Sequence, residues 1–268
     1  MTSESTQPSV ISRAAALDRP EILQILFHPR KAPIVSDGSR ADEIAVETPD
    51  NAVIGCRLHL DARESPVILF FHGNGEIAHD YDTIGPIYLS SGINFIVADY
   101  RGYGISTGSP TVSNLFADAY TVLAHIRNTL DEKGYKGPLW IMGRSLGSAP
   151  AIELAAGKGG IVDGLIVESG FSEVKDLLER IGILPRDMTG EPDAFFSSAD
   201  TIRRFNGPVL IIHAEHDQII PVDHGRKLHD SAPGPVKKLK IIPGADHNNI
   251  FAVAGMNYFE TIRKFMAG

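Results

Sequence analysis

A serine, an aspartate and a histidine lie along this sequence where they could together carry out acyl transfer. Ser145 lies in the segment GRSLG, directly after an apolar run, and Asp217 and His247 each follow a further apolar run. A serine hydroxyl is a weak nucleophile until an adjacent base accepts its proton, and a carboxylate can orient that base. The chain order Ser, Asp, His is one of the orders in which such triads occur. The three residues therefore predict a hydrolytic site built on a serine nucleophile.

The two glycines that flank the serine have a predicted steric role. In a sharp strand-to-helix turn, the residues two before and two after the nucleophile come so close that side chains would collide, which suits Gly143 and Gly147. A helix that begins after the turn directs its N-terminal dipole toward a developing oxyanion. The motif alone is weak evidence in a chain with 26 glycines, and an ordinary strand-to-helix turn is the alternative. The strand-like run before it and the helical pattern after it favour a nucleophile turn.

Glu168 is a second candidate for the acid. It lies near the end of the apolar run at residues 162–169, and some hydrolases place their acid after that strand. Asp217 is favoured because the loop after the next strand is the more usual position for this carboxylate. We therefore expect Asp217 to be the acid.

The glycine-rich loop after the run VILFF permits two interpretations. Gly73, Gly75 and Ala78 fit the dinucleotide-binding pattern G-x-G-x-x-A, and Asp99 ends the next strand-like run. Alternatively, His72 begins a loop whose backbone N–H helps to bind an oxyanion. Two further strand-like runs upstream, together with His72, favour the oxyanion interpretation. No nucleotide and no other cofactor is expected.

A group of histidines and acids around the predicted acid and base suggests a metal site as an alternative. Its members are His213, His216, Asp217, Asp246 and His247. His213 and His216 leave a strand, so they do not share a helical face as a helical zinc motif requires. We expect no metal ion. The other histidines are expected to be structural or at the surface: His28, His59, His79, His125, His224 and His229.

The elements that must position these residues follow from the pattern of apolar runs. The predicted strands are residues 43–50, 52–60, 67–71, 93–99, 138–142, 162–169, 207–214 and 236–244. From the third strand onward, near-continuous Val, Ile and Leu runs alternate with helical patterns. This alternation indicates an α/β fold with a mostly parallel central sheet and helices on both faces. The carboxyl ends of such strands are where catalytic residues concentrate.

A single domain of residues 1–268 is predicted, because no linker, repeat or low-complexity block interrupts the alternation. Residues 1–24 are expected to form an N-terminal extension that includes a helix. The irregular stretch at residues 170–206 is expected to be a short cap insertion over the strand ends. Residues 112–130 predict a long helix, and residues 253–268 a final one.

The composition narrows the class of protein. Hydrophobic residues make up 43% of the chain, and its net charge is −8 with a pI near 5.7. These values are typical of a globular protein and argue against a nucleic-acid-binding surface. The longest apolar runs are too short to cross a bilayer and no secretory signal is evident, so we expect no stable membrane insertion and a cytoplasmic location. The single cysteine, Cys56, cannot form an intrachain disulfide.

The sequence resembles the serine hydrolases of the α/β-hydrolase fold, and within them it is most similar to the Bem46-like group. The resemblance begins near residue 25 and rests on the segments ILFHPRKAP, FFHGNGE, DYRGYGISTGSP, GRSLGSAPA, VESGF, HAEHDQIIP and GADHNN. It implies that Ser145 is the nucleophile, His247 the base and Asp217 the acid. It also implies an oxyanion hole formed by the backbone N–H groups of Asn74 and Leu146.

The expected activity is hydrolysis of a small-molecule acyl ester through an acyl-enzyme intermediate. A carboxylic ester with a short-to-medium acyl chain is the first expectation, because esters are labile and the cap is short. A thioester, or a peptide or amide bond, is the alternative substrate for the same triad. A non-catalytic binding protein of the same fold is the alternative of a different class, and the intact serine, acid, histidine and turn argue against it. The sequence does not indicate the oligomeric state.

Overall fold

The computed structural model describes residues 10–33, 41–157, 161–183, 188 and 195–268. Within these residues, eight strands form one sheet. They are β1 (Asp42–Glu47), β2 (Val53–His59), β3 (Val67–Phe71), β4 (Asn94–Ala98), β5 (Leu139–Arg144), β6 (Gly164–Glu168), β7 (Val209–Ala214) and β8 (Lys237–Ile242). The predicted strands coincide with these to within a few residues, because buried strands of a parallel sheet are continuous apolar runs between turns.

The strand order across the sheet is β1-β2-β4-β3-β5-β6-β7-β8. Strand β2 pairs antiparallel with both β1 and β4, and every other neighbouring pair is parallel. The prediction of a mostly parallel central sheet is confirmed. Strands β5, β6, β7 and β8 are consecutive neighbours, so the loops after them emerge along one edge of the sheet.

Ten α-helices lie within the described residues. They are α1 (Val10–Ala15), α2 (Pro20–Leu26), α3 (Gly85–Ser90), α4 (Val112–Glu132), α5 (Ser148–Gly157), α6 (Val174–Arg180), α7 (Ser198–Ile202), α8 (Val222–Ser231), α9 (Ile250–Ala254) and α10 (Met256–Met266). A 3-10 helix at Ala78–Thr83 precedes α3, and a 3-10 turn at Ser145–Gly147 precedes α5.

The helices cover both faces of the sheet, as the alternation predicts. Along β3, Val67, Leu69 and Phe71 face one core, which also contains residues of α1, α2 and α4 to α8. Ile68 and Phe70 face a second core, which contains residues of α3, α9 and α10. Side chains of alternate strand residues point to opposite faces, so each strand contributes to both cores.

The N-terminal segment is part of the first core from α1 onward. Helix α1 packs against α4, and Ala14 and Leu17 are fully buried. Asp18 accepts a hydrogen bond from the backbone N–H of Val112 at 2.6 Å, at the first turn of α4. The carboxylate thus satisfies an N–H that the helix itself leaves free. The remainder of the predicted extension, residues 1–9, lies outside the described residues.

Two other predicted segments differ in detail. The final helical pattern forms two helices, α9 and α10, because Gly255 between them has φ 53° and ψ −139°, which a helix cannot contain. The stretch predicted as a cap includes α6 and α7, whereas residues 184–187 and 189–194 of it lie outside the described residues.

Candidate active site

Ser145 lies on a tight turn between β5 and α5. Its φ is 51°, a backbone conformation that L residues other than glycine rarely adopt. A Cβ on Gly143 would lie 2.1 Å from the carbonyl oxygen of Gly147, and a Cβ on Gly147 would lie 2.1 Å from the carbonyl oxygen of Phe71. Only glycine fits at both positions, because the atoms in the way belong to the backbone. The strained turn projects the serine beyond the end of the strand.

The side chains of Ser145, His247 and Asp217 form a continuous hydrogen-bonded chain. His247 Nε2 is 3.1 Å from Ser145 Oγ, and His247 Nδ1 is 2.7 Å from Asp217 Oδ2. A carboxylate only accepts hydrogen bonds, so the imidazole donates from Nδ1 and its Nε2 is free to accept the serine proton. All three residues are buried. The arrangement can deprotonate the serine and stabilise the resulting imidazolium.

Asp217 is held by the loop that follows β7. Its Oδ1 accepts the backbone N–H groups of Ile219 and Ile220 at 3.0 and 2.7 Å. Burial alone would raise the pKa of Asp217, but the hydrogen bond and charge of His247 and the N–H of Ile220 together lower it. The carboxylate is therefore ionised and fixed in the orientation that faces the imidazole.

Asn74 and Leu146 line the same cavity as Ser145. The side chain of Asn74 is fixed by two neighbours. Its Oδ1 accepts from Tyr103 Oη at 2.7 Å and from the backbone N–H of His28 at 2.9 Å, and its Nδ2 donates to His28 Nδ1 at 2.8 Å. His28, which the sequence predicts to be merely structural or at the surface, thus contacts a predicted oxyanion residue. The backbone N–H of Asn74 is held on a rigid loop as a result.

We predict that Asn74→Ala lowers kcat about tenfold with KM nearly unchanged. The loss is smaller than the roughly 10²–10³-fold that follows removal of a whole oxyanion donor, because the backbone N–H remains and only its support is lost. Steady-state hydrolysis of a p-nitrophenyl ester measures the change. Asn257→Ala, at an exposed position of α10, is the matched control and should not alter either constant. An unchanged kcat in Asn74→Ala would mean that the side chain does not support the donor.

The cavity beside Ser145 has a volume of about 190 Å³. Its remaining described walls are aliphatic: Ile25, Leu26, Leu177, Ile181, Ile219 and Ile220. They come from α2, α6 and the loop of the predicted acid, so three separate elements surround the serine hydroxyl. Such walls favour an apolar group next to the reacting carbonyl.

The relationship of this chain to known proteins agrees with that geometry. A family profile described as serine aminopeptidase, S33, matches residues 62–190. The protein bem46 of Schizosaccharomyces pombe is 30% identical over 236 residues, which are 84% of this chain and 76% of bem46. The chain belongs to the Bem46-like group of α/β-hydrolases. Both the predicted family and the predicted fold class are confirmed, and the chain is a hydrolase of this family.

Two further proteins show the breadth of the similarity. The lysophosphatidylserine lipase ABHD12 of Danio rerio is 33% identical over 184 residues, which are 62% of this chain and 47% of the lipase. The structure of the esterase Pf2001 of Pyrococcus furiosus matches with a TM-score of 0.72 and 16% identity, over 90% of this chain and 98% of the esterase. The second similarity concerns the fold alone.

In this Bem46-like chain, Glu168 has partners other than the imidazole. Its Oε1 accepts from Arg144 Nε at 3.0 Å, and Tyr258 Oη donates to its Oε2. Burial raises the pKa of Glu168, and Arg144 and the tyrosine partly oppose that effect. His247 Nδ1 is bonded to Asp217 instead. The geometry therefore favours Asp217 over Glu168 as the carboxylate that orients the histidine.

The glycine-rich loop lacks the features that a dinucleotide requires. A pyrophosphate binds at the N-terminus of a long helix, but Ala78–Thr83 is a 3-10 helix of six residues. Asp99, which would face a ribose, is buried and bonded to His72 Nε2 at 3.2 Å and to the N–H of Ala78 at 2.8 Å. Asp99 therefore stabilises the loop itself and is not available to a ribose, so the nucleotide interpretation is not supported.

His213 and His216 point to different surroundings. His213 is buried, and its Nε2 lies 2.8 Å from the carbonyl oxygen of Ile220, whereas His216 is exposed beside Glu215. No group of three or more potential ligands in the described part of the chain is arranged to hold a metal ion. Among the same residues, no helix combines the length and the apolar character needed to cross a membrane.

Proposed function

We propose that this hydrolase cleaves carboxylic esters with a short-to-medium acyl chain, using Ser145 as nucleophile, His247 as base and Asp217 as acid. The observation that carries the proposal is the unbroken hydrogen-bonded chain from Asp217 through His247 to a serine on a strained turn. A binding protein of the same fold has no need of these four features together, so their coincidence supports an enzyme.

The reaction follows from the positions of these groups. His247 Nε2 accepts the proton of Ser145 Oγ as the oxygen attacks the ester carbonyl. The carbonyl oxygen becomes an oxyanion that accepts hydrogen bonds from the backbone N–H groups of Asn74 and Leu146. The C–O bond then breaks, and His247 gives its proton to the leaving alcohol. Water, deprotonated by the same nitrogen, then attacks the acyl-serine. The bond between the acyl carbon and Ser145 Oγ breaks, His247 returns the proton to Oγ, and the carboxylic acid leaves.

Asp217 supports both halves of this cycle. The imidazolium that forms at His247 is stabilised by the buried carboxylate 2.7 Å from its Nδ1. The N–H groups of Ile219 and Ile220 keep that carboxylate in place, so no reorganisation is required when the charge appears.

The cavity supports an acyl chain of limited length. Its volume of about 190 Å³ is below the roughly 300–1,000 Å³ of pockets for drug-sized ligands. Apart from Asn74 and Ser145, its described walls are branched aliphatic side chains, against which an alkyl chain gains about 0.8 kcal/mol for each buried methylene. These properties favour an acyl group with an alkyl chain over an acyl group with a polar or charged chain.

A peptide substrate is the second candidate, because the matching family is described as serine aminopeptidase. An aminopeptidase must bind the ammonium group of a free N-terminus, for which a carboxylate is the usual partner. Among the described residues that line the cavity there is no carboxylate. The ester therefore remains the first choice, and a thioester of the same acyl group has no feature against it.

The test is labelling by a fluorophosphonate probe together with a substrate panel. We expect the probe to modify Ser145, located by peptide mass spectrometry, and Ser145→Ala to remain unlabelled. In the panel, p-nitrophenyl butyrate and octanoate should be hydrolysed faster than the laurate, and faster than a peptide p-nitroanilide. An acyl-CoA series separates thioesters from esters. A folded wild-type protein that is neither labelled at Ser145 nor active on any of these substrates would exclude the proposed mechanism.

A further inference from the structure

Arg144, the residue between the first glycine and the serine of GRSLG, has no role in the reaction described above. Its side chain is largely buried, with an exposed fraction of 13%. Its guanidinium contacts three segments at once: the loop after β3 through Glu76, the end of strand β6 through Glu168, and the loop after β8 that carries His247. An arginine that is adjacent in sequence to the nucleophile therefore links the elements that carry the other groups of the site.

One contact of Arg144 is made directly to the base residue. Nη2 donates to the backbone carbonyl oxygen of His247 at 2.7 Å, and to Asn248 Oδ1 at 3.5 Å. His247 lies in a loop between β8 and α9, so no regular element fixes its backbone. Since Arg144 precedes Ser145, this bond ties the backbone of the histidine to the residue next to the serine.

A second contact reaches the predicted oxyanion loop. Arg144 Nη1 pairs with Glu76 Oε1, while Glu76 Oε2 accepts from the backbone N–H of Gly73 at 2.7 Å and from Tyr81 Oη at 2.7 Å. Gly73 directly precedes Asn74, so the carboxylate transmits the position of the guanidinium to the peptide of the oxyanion donor. A Cβ on Gly73 would lie 2.5 Å from Arg144 Nη1, so the guanidinium packs closely against the backbone of this loop.

The hydrogen bonds within this group are complete without the catalytic acid. Burial alone would raise the pKa of Glu76, but Arg144 and the hydrogen bond from Tyr81 lower it, so Glu76 is ionised. Glu168 uses Oε1 for Arg144 and Oε2 for Tyr258. Every oxygen of the two carboxylates has a donor, as a buried network of this kind requires. Neither carboxylate is free to replace Asp217.

We propose that Arg144 is a positioning residue, which holds the loops of His247 and Asn74 in register with Ser145. This role rests on the proposed function. Small displacements are costly in such a site, since a misplacement of about 1 Å can lower the rate about 10²-fold. The planar fork of arginine suits the task, because it donates in several fixed directions, whereas lysine presents one compact charge.

The test compares Arg144→Gln and Arg144→Lys with the wild type by steady-state hydrolysis of p-nitrophenyl butyrate. We expect Arg144→Gln to lower kcat about 10- to 100-fold with KM within about twofold. Arg144→Lys should recover part of the loss, because it keeps the charge but cannot reach all three segments. Thermal unfolding gives the midpoint for each variant. The rate of fluorophosphonate labelling, measured well below that temperature, then separates a slower reaction from a loss of folded protein.

Arg101→Gln is the matched control. Arg101 is also buried and also pairs with two carboxylates, Asp118 and Asp50, but neither of them belongs to the three segments that Arg144 contacts. It should lower stability while leaving kcat within about twofold. If Arg144→Gln does not fold, Arg144→Lys carries the comparison: a lower kcat at unchanged KM supports the role, and an unchanged kcat overturns it.

Two failures remain distinguishable. An active wild type with an unchanged kcat in Arg144→Gln, or an equal loss in Arg101→Gln at equal loss of stability, overturns the positioning role alone. A wild type that is not labelled at Ser145 overturns the proposed function and this role with it.

Discussion

Replacing Asp217 by asparagine is expected to reduce kcat by about 10³- to 10⁴-fold with little change in KM. The asparagine Oδ1 can still accept the backbone N–H groups of Ile219 and Ile220, so the loop should keep its conformation. The amide Nδ2 then faces His247 Nδ1 and donates to it. This forces the proton of the neutral imidazole onto Nε2, the nitrogen that faces Ser145 Oγ. A protonated Nε2 cannot accept the serine proton. The variant should be folded and nearly inactive.

Steady-state hydrolysis of p-nitrophenyl butyrate, with circular dichroism to confirm the fold, measures the effect. Glu168→Gln is the matched control, because it changes the other candidate acid in the same way. A glutamine can still accept from Arg144 Nε and donate to Tyr258 Oη, so most of the turnover should remain. If Glu168→Gln were inactive and Asp217→Asn active, Glu168 would be the acid.

The fold was predictable because its signals are local. The sequence predicts strand β3 at residues 67–71, the bounds that the structure has, since a strand buried on both faces is a continuous apolar run. It does not predict the break between α9 and α10. Gly255 lies within a regular helical pattern, and a glycine there is compatible with an uninterrupted helix until its backbone conformation is known.

The proximity of Ser145, Asp217 and His247 could also be anticipated, because each follows a strand and the carboxyl ends of parallel strands share one edge. The hydrogen bonds of Arg144 that surround these three residues could not be anticipated from the sequence. Arg144 contacts Glu76, 68 residues away, and His247, 103 residues away, through loops that have no periodic pattern. One signal was available: Arg144 is the only charged residue between positions 138 and 152, in a segment predicted to be buried. An isolated charge in such a place requires partners.

The second large effect is expected for Gly147→Ala. The added Cβ would lie 2.1 Å from the carbonyl oxygen of Phe71 and 2.8 Å from that of His72. Both atoms belong to the backbone at the end of β3, so no side chain can rotate away to make room. Helix α5 must instead move from the sheet, which should lower the free energy of unfolding by roughly 3 kcal/mol, at the upper end of the usual overpacking penalty. The same movement displaces Ser145 from His247 and should lower kcat about 10²-fold.

Urea denaturation and ester hydrolysis measure the two effects, and Gly134→Ala is the control. Gly134 has φ 75°, and among the described residues a Cβ there would meet only Arg63 Nη1 within 4 Å, at 3.9 Å. In that variant the free energy of unfolding should fall by only about 1 kcal/mol, the cost of a left-handed backbone conformation for alanine, and kcat should not change. If Gly147→Ala and Gly134→Ala lost stability and kcat to the same extent, the close backbone contact between α5 and β3 would not explain the glycine at position 147. If Gly147→Ala alone lost stability and turnover together, the same close approach would both hold the helix on the sheet and place the serine within reach of its base.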